Sequence, residues 1–234
     1  GFVRKTRKEA PRPMTAVLKH AKAVGLISEV PTHDIDTSPT RKEKIRERIE
    51  RSEKTYTPDE VYTMLAAADS LAQDDNLQIR RVWARYRPMI YFLVYTGARI
   101  GEARGFPRKG FLPQEGIVKI TQSATAGHSR TLLFGTRSDH PISNSNLYSR
   151  MLEPLKTRAD ELAANGTDPR FVRVGRDRAF HAFRHHYASR LVQNNANLKQ
   201  LQYLMGHASA AITLDIYAHL FEDDQKALVL SLVI

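Results

Sequence analysis

Helical periodicity, closed off by capping residues, is the feature that most constrains how this chain folds. Thr57 is followed by Pro, Asp and Glu, which predicts a helix start because all three suit the first helical turn. Apolar residues at helical spacing predict a second helix over residues 79–95 that stops at Gly97. A short helix is expected from Arg99 to about Gly105. This half of the chain is therefore predicted to be helical.

The carboxy-terminal half carries the same kinds of helix start and stop signals. Further helices are expected to start near Ser145, His181, Asn197 and Ser209. Three tyrosines in these segments are expected to be core residues: Tyr148, Tyr187 and Tyr203.

Between the two helical regions, residues 106–142 contain two runs in which apolar and polar residues alternate and β-branched residues are frequent. Gly and Pro residues flank these runs. These runs are GIVKITQSA at 116–124 and RTLLFG at 130–135, and they predict two strands. The fold class is therefore predicted to be α+β, mainly α-helical, with one small sheet. With 41% hydrophobic residues in 234, the chain can bury a full core.

The first 40 residues are expected to belong to another domain. Residues 14–27 place their apolar side chains on one side of a helix, and two prolines then interrupt the pattern. Because a lone helix cannot bury its own apolar face, residues 1–40 are interpreted as the end of a domain whose remainder is absent. Residues 41–56 interleave charges of both signs with few apolar residues, which indicates a solvated linker.

Composition narrows the function. Lys and Arg number 36 against 25 Asp and Glu, a formal net charge of +11. This excess favours a polyanionic partner, nucleic acid first, with simple solubility as the alternative. The absence of cysteine excludes disulfides, thiolate zinc sites and a cysteine nucleophile. The longest apolar run, at 227–234, is too short to span a bilayer, so we expect a cytoplasmic protein without a membrane partner.

Five side chains in short helical motifs suit chemistry on a phosphodiester: Arg99, His181, Arg184, His207 and Tyr217. The transition state of phosphoryl transfer spreads negative charge over the non-bridging oxygens, where fixed cations stabilise it. Guanidiniums suit this task because they keep their charge and offer paired donors. His181 and Arg184 lie three residues apart at a helix start, so both can reach one phosphate. The phenol of Tyr217 is the candidate nucleophile.

Three ordered segments resemble the motif boxes of the tyrosine recombinases, the phage integrase family: TGARIGEA, HAFRHHYASRL and LQYLMGHASAAITLDIYAHL. The resemblance covers roughly residues 57–221 and implies a catalytic domain with a small antiparallel β-sheet. It implies that residues 1–40 are the end of the family's core-binding domain. It implies site-specific DNA recombination, as in phage or mobile-element integration and excision, through a 3′-phosphotyrosyl bond at Tyr217. It also implies a base-like role for His181 and a phosphate hydrogen bond from His207. Neither a metal nor another cofactor is implied.

The chain departs from the family at the proton donor for the leaving oxygen. Family members commonly use a lysine in a β-hairpin turn, and in the segment GTRSDHPIS the corresponding position is Arg137. Arginine is a poor acid because its pKa lies above about 12. Lys119, in IVKIT, is the other candidate, although it comes earlier than expected. The general acid stays open between Lys119 and Arg137.

The resemblance also implies partners. Double-stranded DNA recombination sites are expected, bound by a tetramer in a bacterial host, in association with its nucleoid. Residues 222–234 include KALVLSLVI, which is more apolar than a free tail should be. This tail is expected either to dock on a neighbouring protomer or to fold back on its own.

Each assignment has an alternative. Arg99 and Glu102 could form an ordinary helix ion pair, and Tyr217 could be a half-buried core residue. His181 and His185 have the spacing of a zinc-binding helix, but Ala182 stands where a metalloprotease needs glutamate.

Two other functions remain as alternatives at this level. One is a DNA-binding protein of the same fold that has lost its chemistry, because its proton donor is altered. The other is a metal-dependent nuclease, which lacks clustered carboxylates near the motifs.

Overall fold

The computed structural model describes residues 11–29, 55–121, 123–124, 131–136, 138–214, 216–217 and 220–221. Internal contacts divide the chain into two units, residues 1–49 and 50–234. In the first unit one helix is described, α1 (Pro11–Ala23). Most of the predicted linker and all of the tail at 222–234 lie outside the described residues.

The second unit is mainly helical. Its α-helices are α2 (Pro58–Ala72), α3 (Leu77–Thr96), α4 (Ile100–Arg104), α5 (Asn144–Leu147), α6 (Glu153–Asn165), α7 (His181–Gln193) and α8 (Leu198–Leu204). Helical residues follow at 210–214, 216–217 and 220–221, and are called the terminal helical segment below. No described helix is long and apolar enough to cross a membrane.

The predicted caps are present. Thr57 forms a capping box with Glu60 at the start of α2, and Asn197 forms one with Gln200 at the start of α8. These side chains satisfy backbone N–H groups that have no partner within the helix. Helix α3 ends at Gly97, whose φ of 61° is left-handed, a conformation that glycine adopts without steric cost.

The sheet is smaller than predicted, and one predicted strand is wrong. Strand β1 (Phe111–Leu112) pairs antiparallel with β2 (Ile117–Val118), so only the start of the 116–124 run is a strand. The 130–135 run makes isolated bridges, at Leu132 and at Gly135. A 3-10 turn at Pro113–Glu115 joins β1 to β2, and this short local hairpin takes the place of the longer ladder. The mainly helical class with a small antiparallel sheet is confirmed.

The helix expected from Ser145 to Asn165 is interrupted. A π-helical turn, Tyr148–Leu152, separates α5 from α6. Pro154 has no N–H to donate back to the preceding turn, and the Glu153 N–H donates instead to the Tyr148 carbonyl.

Two of the three tyrosines predicted to be core residues are exposed. Tyr187 is half-buried, whereas Tyr148 is 42% and Tyr203 is 84% exposed. Helix α8 turns Leu201 inward, and a residue two positions further along a helix points to nearly the opposite side.

The described residues of the second unit form two hydrophobic clusters. The large cluster gathers side chains from α2 to α6 and from the first turn of α7, including Phe183. The small cluster comprises Ala188, Val192, Leu201, Met205 and Tyr217. Helix α7 contributes to both clusters, with its amino-terminal half in the large one and its carboxy-terminal half in the small one.

Candidate active site

Arg184 lies at the centre of the candidate site. It is 6% exposed on α7, and its Nη1 donates to the Gly97 carbonyl at 2.8 Å. Its Nη2 donates to the Met205 carbonyl. These two bonds tie the end of α3 to the end of α8 and hold the guanidinium in one place, as phosphate recognition requires.

His207 is the second member of the site. Its Nε2 lies 3.2 Å from Arg184 Nη2, and its Nδ1 lies 2.9 Å from Thr213 Oγ1. Because a guanidinium can only donate, Nε2 accepts, and the proton therefore sits on Nδ1, which donates to Thr213. Burial, followed by the charges of Arg184 and Arg99, lowers the His207 pKa. The ring is therefore neutral in this arrangement.

Tyr217 lies in the small cluster, but its hydroxyl forms a hydrogen bond with Arg184. The residue is 2% exposed. Its ring stacks on His207 with centroids 6.1 Å apart, and it meets the edge of His185 at 5.6 Å. Burial raises its pKa, while Arg184, through its charge and a side-chain hydrogen bond, and Arg99 oppose this rise. The core and nucleophile interpretations of Tyr217 are thus compatible.

Arg99 stands at the start of α4 and pairs with Glu102. Its backbone N–H donates to Glu102 Oε2 at 2.7 Å, and its Nη1 to Glu102 Oε1 at 2.7 Å. The ion pair considered as the alternative therefore forms. The Arg99 side chain is still 40% exposed, and its charge acts on His181, Arg184, His207 and Tyr217. The ion pair orients Arg99 and does not remove it from the site.

His181 lies at the exposed first position of α7. Partial desolvation of the ring lowers its pKa, as do Arg184 and Arg99, while Glu102 opposes them. A lowered pKa keeps the imidazole neutral at pH 7, so that it can accept a proton.

An open cleft of about 520 Å³ runs beside Arg184. Lys119, just after β2, and Glu102 line it, together with the exposed Tyr203. The structure therefore brings Lys119 to the same cleft as Arg184. Arg137 lies outside the described residues.

Sequence reasoning missed several groups that hold the site. The backbone carbonyls of Gly97 and Met205 carry no sequence signal for this role. For Thr213 the sequence gives a single signal, its helical spacing from Ser209. The Thr213 Oγ1 lies 3.5 Å from the Ser209 carbonyl oxygen. His186, unexplained by sequence, is buried and donates from Nδ1 to the Tyr56 carbonyl at 2.9 Å.

Within the part of the chain that the structure describes, no group of three or more His, Asp or Glu side chains is arranged to hold a metal ion. The guanidiniums of Arg99 and Arg184 bring fixed positive charge to the site.

Comparison with known proteins shows similarity to one family over about half of the chain. Residues 113–224 match the model of the phage integrase family. The tyrosine recombinase XerD of Brucella abortus biovar 1 is 37% identical over 113 residues, which cover 48% of this chain and 32% of that protein. XerD of Xanthomonas axonopodis pv. citri is 26% identical over 185 residues, covering 68% and 56%. The chain thus spans about a third of the length of the first of these relatives.

Solved structures show the same fold. The Tn1549 transposon integrase, in complex with circular intermediate DNA, superposes with a TM-score of 0.64 at 20% identity, covering 98% of this chain and 80% of that one. XerA recombinase superposes with a TM-score of 0.52 at 20% identity, covering 94% and 73%.

Proposed function

We propose that the chain belongs to the phage integrase family, the tyrosine recombinases, whose model matches residues 113–224, and that residues 57–221 form a catalytic domain that cuts and rejoins DNA through Tyr217. The observation that carries the proposal is the Tyr217 hydroxyl, directed at Arg184 within a cluster that also holds His207 and Arg99. Two guanidiniums beside the hydroxyl contribute nothing to the packing of a core tyrosine. For a tyrosine that attacks phosphorus, they stabilise the negative charge on the phosphate oxygens in the transition state.

Arg99 and Arg184 bind the scissile phosphate. Both keep their charge at neutral pH, and Arg184 is already fixed by two backbone carbonyls, so little reorganisation accompanies the reaction. Donors of this kind contribute on the order of 2.7 to 4 kcal/mol each to transition-state stabilisation. The amino-terminal end of α7 adds a favourable partial charge.

Attack requires that Tyr217 lose its proton. In the DNA-free protein burial raises its pKa, so the phenol is protonated at rest. The neutral imidazole of His181 accepts that proton as the bond from the phenolic oxygen to phosphorus forms. The bond from phosphorus to the 5′ oxygen breaks, and the DNA 3′ end remains attached to Tyr217. Reversal by another strand's 5′ hydroxyl restores the phosphodiester.

His207 changes its hydrogen bonding when phosphate enters. Its Nε2 accepts from Arg184 in the DNA-free protein. An anion beside it favours a protonated imidazole, which then donates from Nε2 to a non-bridging oxygen. Thr213 accepts from Nδ1 in both states and so keeps the ring oriented.

Lys119 is the better candidate for the acid that protonates the leaving 5′ oxygen. It shares the cleft with Arg184, and an ammonium can release a proton where a guanidinium cannot. A substrate whose leaving 5′ oxygen is replaced by sulfur separates the candidates, because a thiolate leaves without protonation. Lys119→Ala should slow cleavage of the oxygen substrate and recover on the sulfur one. Arg137→Ala should change the two rates equally.

The proposed activity is tested with nicked DNA that traps the covalent adduct. The wild-type chain should form a denaturant-resistant protein–DNA species, and Tyr217→Phe should not. Binding without any adduct would favour the alternative, a DNA-binding protein of the same fold without chemistry. EDTA should leave adduct formation unchanged, whereas inhibition would favour a metal-dependent nuclease.

The partners follow from the same premise. We propose double-stranded recombination sites as substrate, bound by a tetramer in the bacterial cytoplasm, with residues 222–234 docking on a neighbouring protomer. The likeness to the Tn1549 transposon integrase bound to circular intermediate DNA favours integration or excision of a phage or mobile element as the natural outcome. Recombination assays with the full-length protein on paired sites test this, with Tyr217→Phe as control.

A further inference from the structure

A buried polar network joins the start of α2 to the loop that leads into α7. It consists of four side chains, called the α7 clamp below: Tyr56, Glu60, Lys156 and Arg178. Tyr56, Glu60 and Lys156 are buried, and the Nε of Arg178 is buried without a hydrogen-bond partner. Burying so many polar groups costs folding free energy. The reaction proposed above uses none of them.

Lys156 is the most unusual member of the α7 clamp. It is 0% exposed, and desolvation lowers its pKa. Its ammonium donates to the carbonyl of Arg176 at 3.0 Å and to that of Arg178 at 2.5 Å. It forms no ion pair with any carboxylate of the described residues. What it holds is therefore backbone, in a segment that has no helix or strand to satisfy its carbonyls.

The other members hold the same loop. The Tyr56 hydroxyl donates to the Arg178 carbonyl at 3.2 Å. Glu60 forms an ion pair with Arg178 and accepts from the Gly175 N–H at 3.1 Å. All these contacts end on residues 175–178, and two residues separate this segment from His181.

Helix α7 depends on this loop for its starting position. Phe180, its amino-terminal cap residue, makes no side-chain capping hydrogen bond. Tyr56 supplies a second anchor: its ring lies 4.9 Å from that of Phe183, and its carbonyl accepts from His186. The clamp thus acts on both sides of the first turn of α7, which carries His181 and Arg184.

We propose that the α7 clamp positions His181 and Arg184 for the phosphate, with Lys156 as its main positioning residue. The role rests on the proposed function, because it concerns the geometry of that same site. Lys156 is fully buried, so it acts through the backbone before α7.

The test compares Lys156→Met with Lys199→Met. Methionine has a similar length but removes the Lys156 donor from both carbonyls and leaves that of Arg178 to Tyr56 alone. Lys199 is exposed, and its side chain donates to Gln202 at 3.4 Å. Tyr56→Phe is a milder variant, since it removes one hydrogen bond and keeps the ring. Thermal unfolding first identifies a temperature at which all variants are folded. At that temperature three quantities are measured: DNA affinity, the adduct rate at saturating nicked DNA, and the titration of the His181 ring by NMR without DNA.

We expect Lys156→Met to slow adduct formation about 100-fold with its DNA affinity within about twofold, because small displacements of catalytic groups carry such penalties. Tyr56→Phe should slow it less, and Lys199→Met not at all. In the slowed variants the His181 pKa should return toward its ordinary value, because a displaced ring is better solvated and lies farther from Arg184 and Arg99.

Unchanged adduct rates and an unchanged His181 titration in Lys156→Met would overturn the proposal and leave a purely structural lysine. Should Lys156→Met not fold, Tyr56→Phe decides by the same two measurements. Should the wild-type chain form no adduct, the proposed function fails, and the DNA-free His181 titration still tests the positioning role separately.

Discussion

The two hydrophobic clusters hold different halves of the candidate site. The large cluster supports the end of α3 and the first turn of α7, and thereby the cations Arg99 and Arg184. The small cluster holds Tyr217 with a few side chains from α7 and α8. A small core opens at a lower free energy than a large one. The comparison indicates a preorganised cation pocket facing a nucleophile on a more easily displaced support.

Arg184 joins the two clusters, so its replacement should have the largest effect. Arg184→Ala should slow adduct formation by about 100- to 1000-fold, the range found for removal of a preorganised donor. Single-turnover cleavage at saturating DNA measures this. Arg184→Lys should recover little, because an ammonium lacks the planar fork whose Nη1 and Nη2 donate separately to the Gly97 and Met205 carbonyls. Full activity of Arg184→Lys would show that point charge alone suffices.

Leucine truncation in each cluster tests their independence. Leu155→Ala, in the large cluster, should lower the free energy of unfolding of the whole unit by about 2–5 kcal/mol. Leu201→Ala, in the small cluster, should instead raise amide exchange in the terminal helical segment while exchange in α3 changes little. Hydrogen exchange with mass spectrometry measures the amide protection of each segment in both variants. Equal protection loss across the unit in both variants would mean that the clusters unfold as one.

Gly97 is predicted to be intolerant of a side chain for two reasons that a control can separate. An added Cβ would stand 2.3 Å from the Tyr187 ring, and the φ of 61° is itself unfavourable. Gly116 has a φ of 64° with nothing within 4 Å, so Gly116→Ala should cost only the backbone term, about 1–2 kcal/mol. Gly97→Ala should cost more, by urea unfolding, and should slow cleavage because the Gly97 carbonyl holds Arg184. Equal costs would refute the steric argument.

The smallest expected effect is a pH dependence of stability. Desolvation lowers the pKa of His186, and His181 and His207 shift the same way. The unfolded chain therefore binds protons more readily, and the free energy of unfolding should fall as pH drops below about 6.5 and level off above it. Urea unfolding from pH 5 to 8 measures the slope. His186→Gln should flatten it more than the exposed control His140→Gln does.

Local patterns predicted the helices well because their signals are local. The Thr57 cap, the stop at Gly97 and the Asn197 cap depend on hydrogen bonds within a few residues. The strand expected at 130–135 failed because pairing depends on partners elsewhere in the chain, and the nearby hairpin at 111–118 formed instead.

The same division applies to the site. Cations and a nucleophile could be named from the motifs, and all five candidate residues lie in the described structure. The chemical types of these side chains, and the helices that carry them, were determined by the sequence alone, because capping and periodicity act at short range.

Only the tertiary structure decided which groups meet. It brought Lys119 to the cleft of Arg184 and set His207 between Arg184 and Thr213. It also placed the Tyr217 ring in a core with its hydroxyl at the cations. The reason is that these contacts join residues distant in sequence, and many end on backbone carbonyls that no residue type reveals.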